Sequence, residues 1–428
     1  MEDTIFTPDD QPAPEPDKRE VKRNYLMLSL DVIFYMFALA FIDQSTVIPA
    51  FLETLTKNTI IIGAITAIRP AGIFLPQLWT AHYLRNRIYH KGFLVKVALI
   101  SRVSTALFAV MLFIAGPNDK LLILVSFLVM YTAFWMSEGY AGVPWIDLVA
   151  KSVPERLRGR LFGSTQFYGG ILAIFAGLVI SKILSMKSIS YPTNYAILLS
   201  IAAVLFACSL FSLNRVREPA GEPEPHDDAF IDYIGKIRCM IGENRQLKKF
   251  LIIQILIGFF GMSLPFYILY ARKTGGLGGG EVGILLAIQT LGTLLSSAAS
   301  GYVSDRYGPR LILSATAAAT LLTQVLAFLI LKPSFIMYSV LFFIIGVVNG
   351  STYIGLTNYL LEMSDDTKRR AYIGLMNTAN APTMLFPVIG GAIIKYSSYQ
   401  MAFGITGTAS ILALVLISGL KHRDSAGR

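Results

Sequence analysis

Runs of about twenty apolar residues recur along almost the whole chain, and that recurrence leaves few folds open. A hydrocarbon core about 30 Å thick takes about 20 apolar residues of helix to cross. Such runs lie near residues 25–50, 59–83, 92–115, 120–145, 161–185, 193–213, 248–271, 281–303, 311–331, 334–361, 371–396 and 399–420. Each exceeds the roughly 10-residue alternating segment of a membrane barrel, and a lone segment in lipid satisfies its own backbone only as a helix. With 54% hydrophobic against 15% charged residues and a mean hydropathy of +0.58, no sizeable soluble domain is expected. The reading is an all-α integral membrane protein with twelve transmembrane helices.

The distribution of basic residues sets the expected orientation. With the N-terminus placed inside, 26 of the 37 Lys and Arg fall in inside segments. Eight fall outside, at Lys57, Lys120, Lys182, Lys187, Arg272, Lys273, Lys332 and Lys395, and Arg69, Lys96 and Arg102 lie within spans. Both termini are therefore expected in the cytoplasm. The net charge of +10 follows from this bias toward an anionic inner leaflet, so nucleic acid is not an expected partner. Short outer segments without a sequon suit a bacterial inner membrane.

The longest polar break, residues 214–247, divides the spans six and six. The expected organisation is a disordered cytoplasmic tail over 1–24, a six-helix bundle over 25–213, a cytoplasmic linker over 214–247, a second bundle over 248–421 and a short tail over 422–428. Within the linker, Phe230, Tyr233, Ile234, Ile237, Met240 and Ile241 recur at helical spacing, as in an interfacial amphipathic helix. The stretch "PERLRGRLFG" at 154–163 and "DTKRRAYIG" at 366–374 occupy the same junction in each half, matching Arg158 with Arg369 and Gly163 with Gly374. That match implies two parallel repeats forming two pseudo-symmetric six-helix bundles.

Between spans eight and nine the chain reads "GYVSDRYGPR", residues 301–310. It closely resembles the signature G-x-x-x-D-R-x-G-R-[RK] that major facilitator superfamily (MFS) transporters carry between the second and third helices of each half. Gly301, Asp305, Arg306, Gly308 and Arg310 match, and Pro309 stands where the family commonly has a basic residue. Glycines permit sharp, close helix ends, and a carboxylate near a helix N-terminus gains about 0.3 to 1 kcal/mol when exposed. The resemblance implies that Asp305 faces the fifth helix, which begins near Arg158 and Arg160. Asp305, Arg306 and Arg158 would then form a cytoplasmic latch that favours the outward-open state; an ordinary positive-inside loop is the alternative. The first-half counterpart, "TAHYLRNRIYHKG" at 80–92, has no Asp, so the two halves are expected to be gated unequally.

Ionisable side chains inside the spans are the best functional pointers, because each costs a few kcal/mol in lipid unless it faces a cavity or a partner. Tyr131, Trp135, Glu138 and Gly142 share one face of span four. In the resembling family the first and fourth helices line the central cavity. Glu138 is thus a candidate proton carrier or cation contact, and equally a structural partner of Arg102, which lies at similar depth. Asp31, with Tyr35 and Ser45 on its side of span one, lies near Glu138 in depth. Asp43 is expected to pair with Arg69. The second half has no embedded acid; Gln254, Gln289, Asn349, Tyr353, Asn377 and Asn380 are candidate cavity-lining groups, with helix–helix bonding the competing use.

Marks of the drug/proton antiporters are incomplete. Span four reads Trp135-Met-Ser-Glu138-Gly139 where those proteins have R-x-x-Q-G, and span five lacks the proline of G-P-x-x-G-G. No nucleotide loop, metal-ligand cluster or nucleophile motif is present, so neither an enzyme nor a cofactor is expected. The expected function is secondary transport of a small organic solute by a monomer in the lipid bilayer through alternating access, with a proton as candidate coupling ion. Uncoupled facilitation, lipid movement and a transporter-like sensor or scaffold stay open.

Overall fold

A computed structural model describes residues 18–84, 87–220, 244–329, 334–364, 372, 375–376 and 379–420. The first half contains α1 (Lys18–Ala40), α2 (Val47–Leu55), α3 (Thr59–Leu84), α4 (Lys91–Ile114), α5 (Lys120–Ser152), α6 (Glu155–Ser185) and α7 (Thr193–Asn214). The second contains α8 (Arg245–Gly258), α9 (Phe260–Ser263), α10 (Phe266–Gly275), α11 (Gly279–Tyr307), α12 (Pro309–Leu329) and α13 (Phe335–Met363), then a 3-10 turn (Ala381–Leu385), α14 (Phe386–Tyr396) and α15 (Tyr399–Ser418). Eleven helices among the described residues are long and apolar enough to cross a membrane, and the shorter apolar stretch Ala381–Tyr396 lies at the remaining expected span. The protein is an integral, multi-pass membrane protein. The expected linker helix and the Arg369 and Gly374 matches lie outside the described residues.

Two expectations at the start of the chain are corrected. Residues 18–24 are helical, where a disordered tail over 1–24 was expected. The amide of Asn24 donates to the Arg217 carbonyl at 2.8 Å and accepts the Arg217 N–H at 2.9 Å, which ties the beginning of α1 to the end of α7. The first span is also not one helix. It breaks between Ala40 and Val47, because Asp43 Oδ1 accepts the amides of Ser45 (2.9 Å) and Thr46 (2.8 Å) and both their hydroxyls. A carboxylate that satisfies the orphan amides of a new helix start ends the old helix. Asp43 is therefore spent on its own chain and makes no ion pair with Arg69, whose guanidinium lies 4.7 Å over the Trp135 ring. The seventh span is likewise divided, into α8, α9 and α10, with Pro265 lacking the N–H that would continue the ladder.

Within the first bundle α4 packs on α5 and α7, α1 on α6 and α7, and α3 on α5; in the second, α13 packs on α11 and α12, and α15 on α12 and α8. The bundles meet along two seams, α3 against α14 and α6 against α11. Leu107, Val110, Ile114, Leu121 and Val129 are exposed on α4 and α5, as lipid-facing residues must be. Because lipid is as apolar as the core, close packing and hydrogen bonds hold these helices together rather than expulsion from water.

The seams are tight at one end. Call the end where α1 begins the terminal face, and the opposite end the far face. Toward the far face a Cβ at Gly391 would run into the Thr59 carbonyl, and one at Gly283 into the Gly177 carbonyl, so these backbones approach as only glycine allows. Thr59 donates to the Gly391 carbonyl at 2.6 Å. Arg272 pairs with Glu53 at 2.7 Å and donates to the Ala50 carbonyl at 3.2 Å. Gln289 Nε2 donates to the Ser45 hydroxyl at 2.8 Å. Toward the terminal face, in contrast, a Cβ at Gly159, Gly163 or Gly301 would meet nothing within 4 Å. Among the described residues, the bundles approach closely along the seams toward the far face, and Gly159, Gly163 and Gly301 stand in open space toward the terminal face.

Candidate functional site

A cavity of about 440 Å³ lies in the terminal-face half of the first bundle. Its chemistry is carried by Asp31 and Tyr35 of α1, Arg102 of α4, and Trp135, Glu138 and Trp145 of α5, among largely apolar walls. A few convergent polar groups in an apolar pocket are the usual composition of a small-molecule site.

The polar groups form one chain. Arg102 pairs directly with Glu138, and both groups contact Ser101: its hydroxyl stands 2.7 Å from Glu138 Oε1 and accepts Arg102 Nη1 at 2.6 Å. The other arm of the guanidinium, Nη2, donates to Ser209 at 3.4 Å, and the Ser209 hydroxyl donates to Asp31 Oδ1 at 2.6 Å. Trp145 Nε1 donates to Asp31 Oδ2 at 3.0 Å. The Tyr35 and Phe206 rings each lie 5.4 Å from Arg102 Cζ, within reach of cation–π attraction.

Charge is unbalanced here. Asp31 is 4% exposed and Arg102 7% exposed, yet two carboxylates share one guanidinium. Asp31 has two neutral donors and no cation within 4.0 Å among the described residues. One proton on either carboxylate makes the set neutral, which is the state that burial favours.

The expected site residues divide. Asp31, Tyr35, Arg102, Trp135, Glu138 and Gly142 come together around the cavity. Tyr131 does not: it is buried two turns nearer the far face, stacked on Phe127 with ring centroids 5.1 Å apart. The second-half residues do not line this cavity either. Gln254 is buried and donates to the Met376 carbonyl at 2.8 Å; Gln289 is spent on Ser45. Asn349 and Tyr353 are exposed, and Asn380 is half-buried. Asn377 lies outside the described residues. The amides read as an orienting surface thus serve helix contacts where their partners are visible, as polar side chains in lipid commonly do.

Sequence reading missed Ser101, Ser209 and Trp145, and Gln77 on the cavity wall. Ser209 is one hydroxyl among several in an apolar helix, without any signal of its own. Trp145 had one: it lies seven residues after Glu138, on the same face of α5.

At the terminal face, Gly308 ends α11 with φ +83°, a backbone conformation that favours glycine. Arg310 donates to the Ser418 carbonyl at 2.5 Å, and Arg306 to the Tyr302 hydroxyl at 2.8 Å. Arg158 donates to the carbonyls of Val153 (2.9 Å) and Ala150 (2.6 Å). Asp305 is exposed and makes no ion pair with Arg158 here. In the first half, His90 Nδ1 lies 2.6 Å from Asp147, Lys151 Nζ lies 2.7 Å from the same carboxylate, and Glu218 accepts the amides of His90 and Lys91. That stretch, with no Asp of its own, therefore binds its own bundle through Asp147 of α5 and Glu218 after α7.

Residues 250–428 match the family model described as Major Facilitator Superfamily. No curated protein matches the chain in sequence. Solved structures with the same fold include a mutant of the nucleoside transporter NupG, 13% identical, with a TM-score of 0.72 over 93% of this chain and 100% of that one. The D-xylose–proton symporter is 14% identical, with a TM-score of 0.71 over 95% and 99%. The xylose transporter XylE from E. coli, in a partially occluded inward-open conformation, is 14% identical, with a TM-score of 0.69 over 96% and 100%. The class so defined is the MFS transporter fold, built of two helical bundles. The second half thus matches this superfamily by sequence, and the chain shares the fold of these transporters along its length.

Proposed function

We propose that this protein carries a small organic solute across a bacterial inner membrane by alternating access, coupled to protons through Asp31 and Glu138. With the basic-rich terminal face in the cytoplasm, the arrangement is inward-open: the cavity belongs to the cytoplasmic side, and the seams at Thr59–Gly391 and Glu53–Arg272 form the outer gate. The observation that carries the coupling is the set of two buried carboxylates around one guanidinium. Protonating Glu138 releases Arg102 to a solute acceptor; losing the proton restores the pair and expels the solute. Binding and protonation then favour each other, as linkage requires. Asp305 and Arg158, apart here, form the latch of the opposite, outward-open state.

The test is uptake into proteoliposomes under an imposed pH gradient, with a panel that includes nucleosides, pentoses and organic acids. Gradient-driven, saturable uptake is expected in wild type. Glu138→Gln should retain exchange of solute without gradient-driven accumulation. Accumulation that persists in both Glu138→Gln and Asp31→Asn would rule out coupling at these residues.

A further inference from the structure

Four of the eight basic residues expected in the outer segments gather at one place. Lys57, Arg272, Lys273 and Lys395 all line a second cavity, of about 680 Å³, at the far-face mouth between the two bundles. Its acid is Glu53, which lies 2.7 Å from Arg272 and 4.0 Å from Lys57. The set carries four positive charges and one negative. Outer segments of membrane proteins are held poor in Lys and Arg, so a cluster of four where α2, α10 and α14 meet is not what an undirected scatter gives.

The individual side chains are placed to receive a ligand. Lys57 reaches Glu53 only at 4.0 Å, and Lys273, with no ion pair among the described residues, has its Nζ 5.5 Å over the Tyr399 ring. Arg272 uses one nitrogen on Glu53 and Ala50, and its buried Nε has no partner among the described residues. The walls are helix ends of low dielectric, which focus the field of like charges into the cleft. The floor is the closed outer gate itself, so whatever collects here stands at the head of the path.

We infer that this vestibule captures an organic anion, a carboxylate or phosphate ester, and that the transported solute belongs to that class. The second clause rests on the transport reading above. It agrees with Arg102 in the inner cavity: its Nε is also buried without a partner among the described residues, and a proton on Glu138 releases Nη1 from the ion pair for an anion.

The vestibule can be probed without knowing the solute. Thr56, on its wall, is replaced in Thr56→Cys with Cys208→Ala and Cys239→Ser in the background, and Leu277→Cys provides a second reporter should the first variant fail to fold. Modification by an anionic and a cationic methanethiosulfonate is compared at low salt, each relative to a free thiol. The expected preference for the anionic reagent is roughly tenfold or more, lost in Lys57→Gln/Lys273→Gln/Lys395→Gln and at high salt. A preference equal to that of the free thiol overturns the proposal. At fixed ionic strength, carboxylates and sugar phosphates are then tested for protection of the cysteine beside neutral sugars and nucleosides. Protection by one anionic class supports the assignment; protection by neutral solutes alone, or by none, overturns the solute class. Protection by an anion that proteoliposomes do not accumulate would refute the transport reading while leaving the vestibule standing.

Discussion

Asp31 is joined to Arg102 through the hydroxyl of Ser209, which donates to the carboxylate at 2.6 Å and receives the guanidinium at 3.4 Å. One small side chain thus connects a carboxylate on α1 with the ion pair between α4 and α5. Ser209→Ala should leave two buried polar groups short of a partner, at a cost of about 1–3 kcal/mol. The expected outcome is a lower Tm in detergent together with a weaker dependence of uptake on the pH gradient. An unchanged pH dependence would separate Asp31 from the coupling machinery.

The Arg102–Glu138 pair is buried in a membrane-spanning bundle, so removing one partner is worse than removing both. Arg102→Leu alone leaves two uncompensated carboxylates and is expected to destabilise by about 3–5 kcal/mol. Arg102→Leu/Glu138→Leu should recover much of that loss, giving a large coupling energy in a double-mutant cycle. Both variants should lack gradient-driven uptake. Chemical denaturation of the purified single and double variants checks the first point, and proteoliposome flux checks the second.

At the far-face seam, proposed above as the outer gate, Gly391 lets α14 meet the Thr59 carbonyl of α3. Gly391→Val places two methyl groups where there is no room, and overpacking of this kind costs about 1–3 kcal/mol. The cost falls on the closed far face, so the population should move toward the outward-open arrangement. A cysteine at Ser45, beneath the gate, would gain reactivity to membrane-impermeant reagents added from outside. Reactivity no higher than in the Gly391 parent would show that α3 and α14 do not form the gate.

Asp305 has no ion pair with Arg158 in the terminal-open arrangement, although the latch assigns them to each other when that face closes. Asp305→Asn should then leave the stability of this arrangement unchanged and weaken the opposite one. Spin labels on the terminal-face ends of α6 and α11 should report a larger fraction of long distances in the variant. Equal distributions in the variant and wild type would leave Asp305 as an ordinary loop carboxylate.

The sequence was enough for properties set by the solvent. Lipid demands about twenty apolar residues per crossing and internal hydrogen bonding, so the helical spans, eleven of them long enough to cross a membrane among the described residues, were legible in composition and length alone. An ionisable group in lipid is so costly that Asp31, Arg102 and Glu138 stood out one by one. Only the tertiary structure decided how they were joined, because Ser209 and Ser101 are chemically ordinary and acquire a role through their distance to charges on other helices. It also decided that Asp43 starts α2 instead of pairing with Arg69, and that Gln254 and Gln289 bond helices instead of lining the cavity: a hydrogen-bonding group takes the nearest partner, and nearness across helices is not encoded in spacing along one. The gathering of Lys57, Arg272, Lys273 and Lys395 belongs to the same category. Along the chain they lie in three separate segments, and it is the meeting of α2, α10 and α14 at the far face that makes them one electrostatic surface.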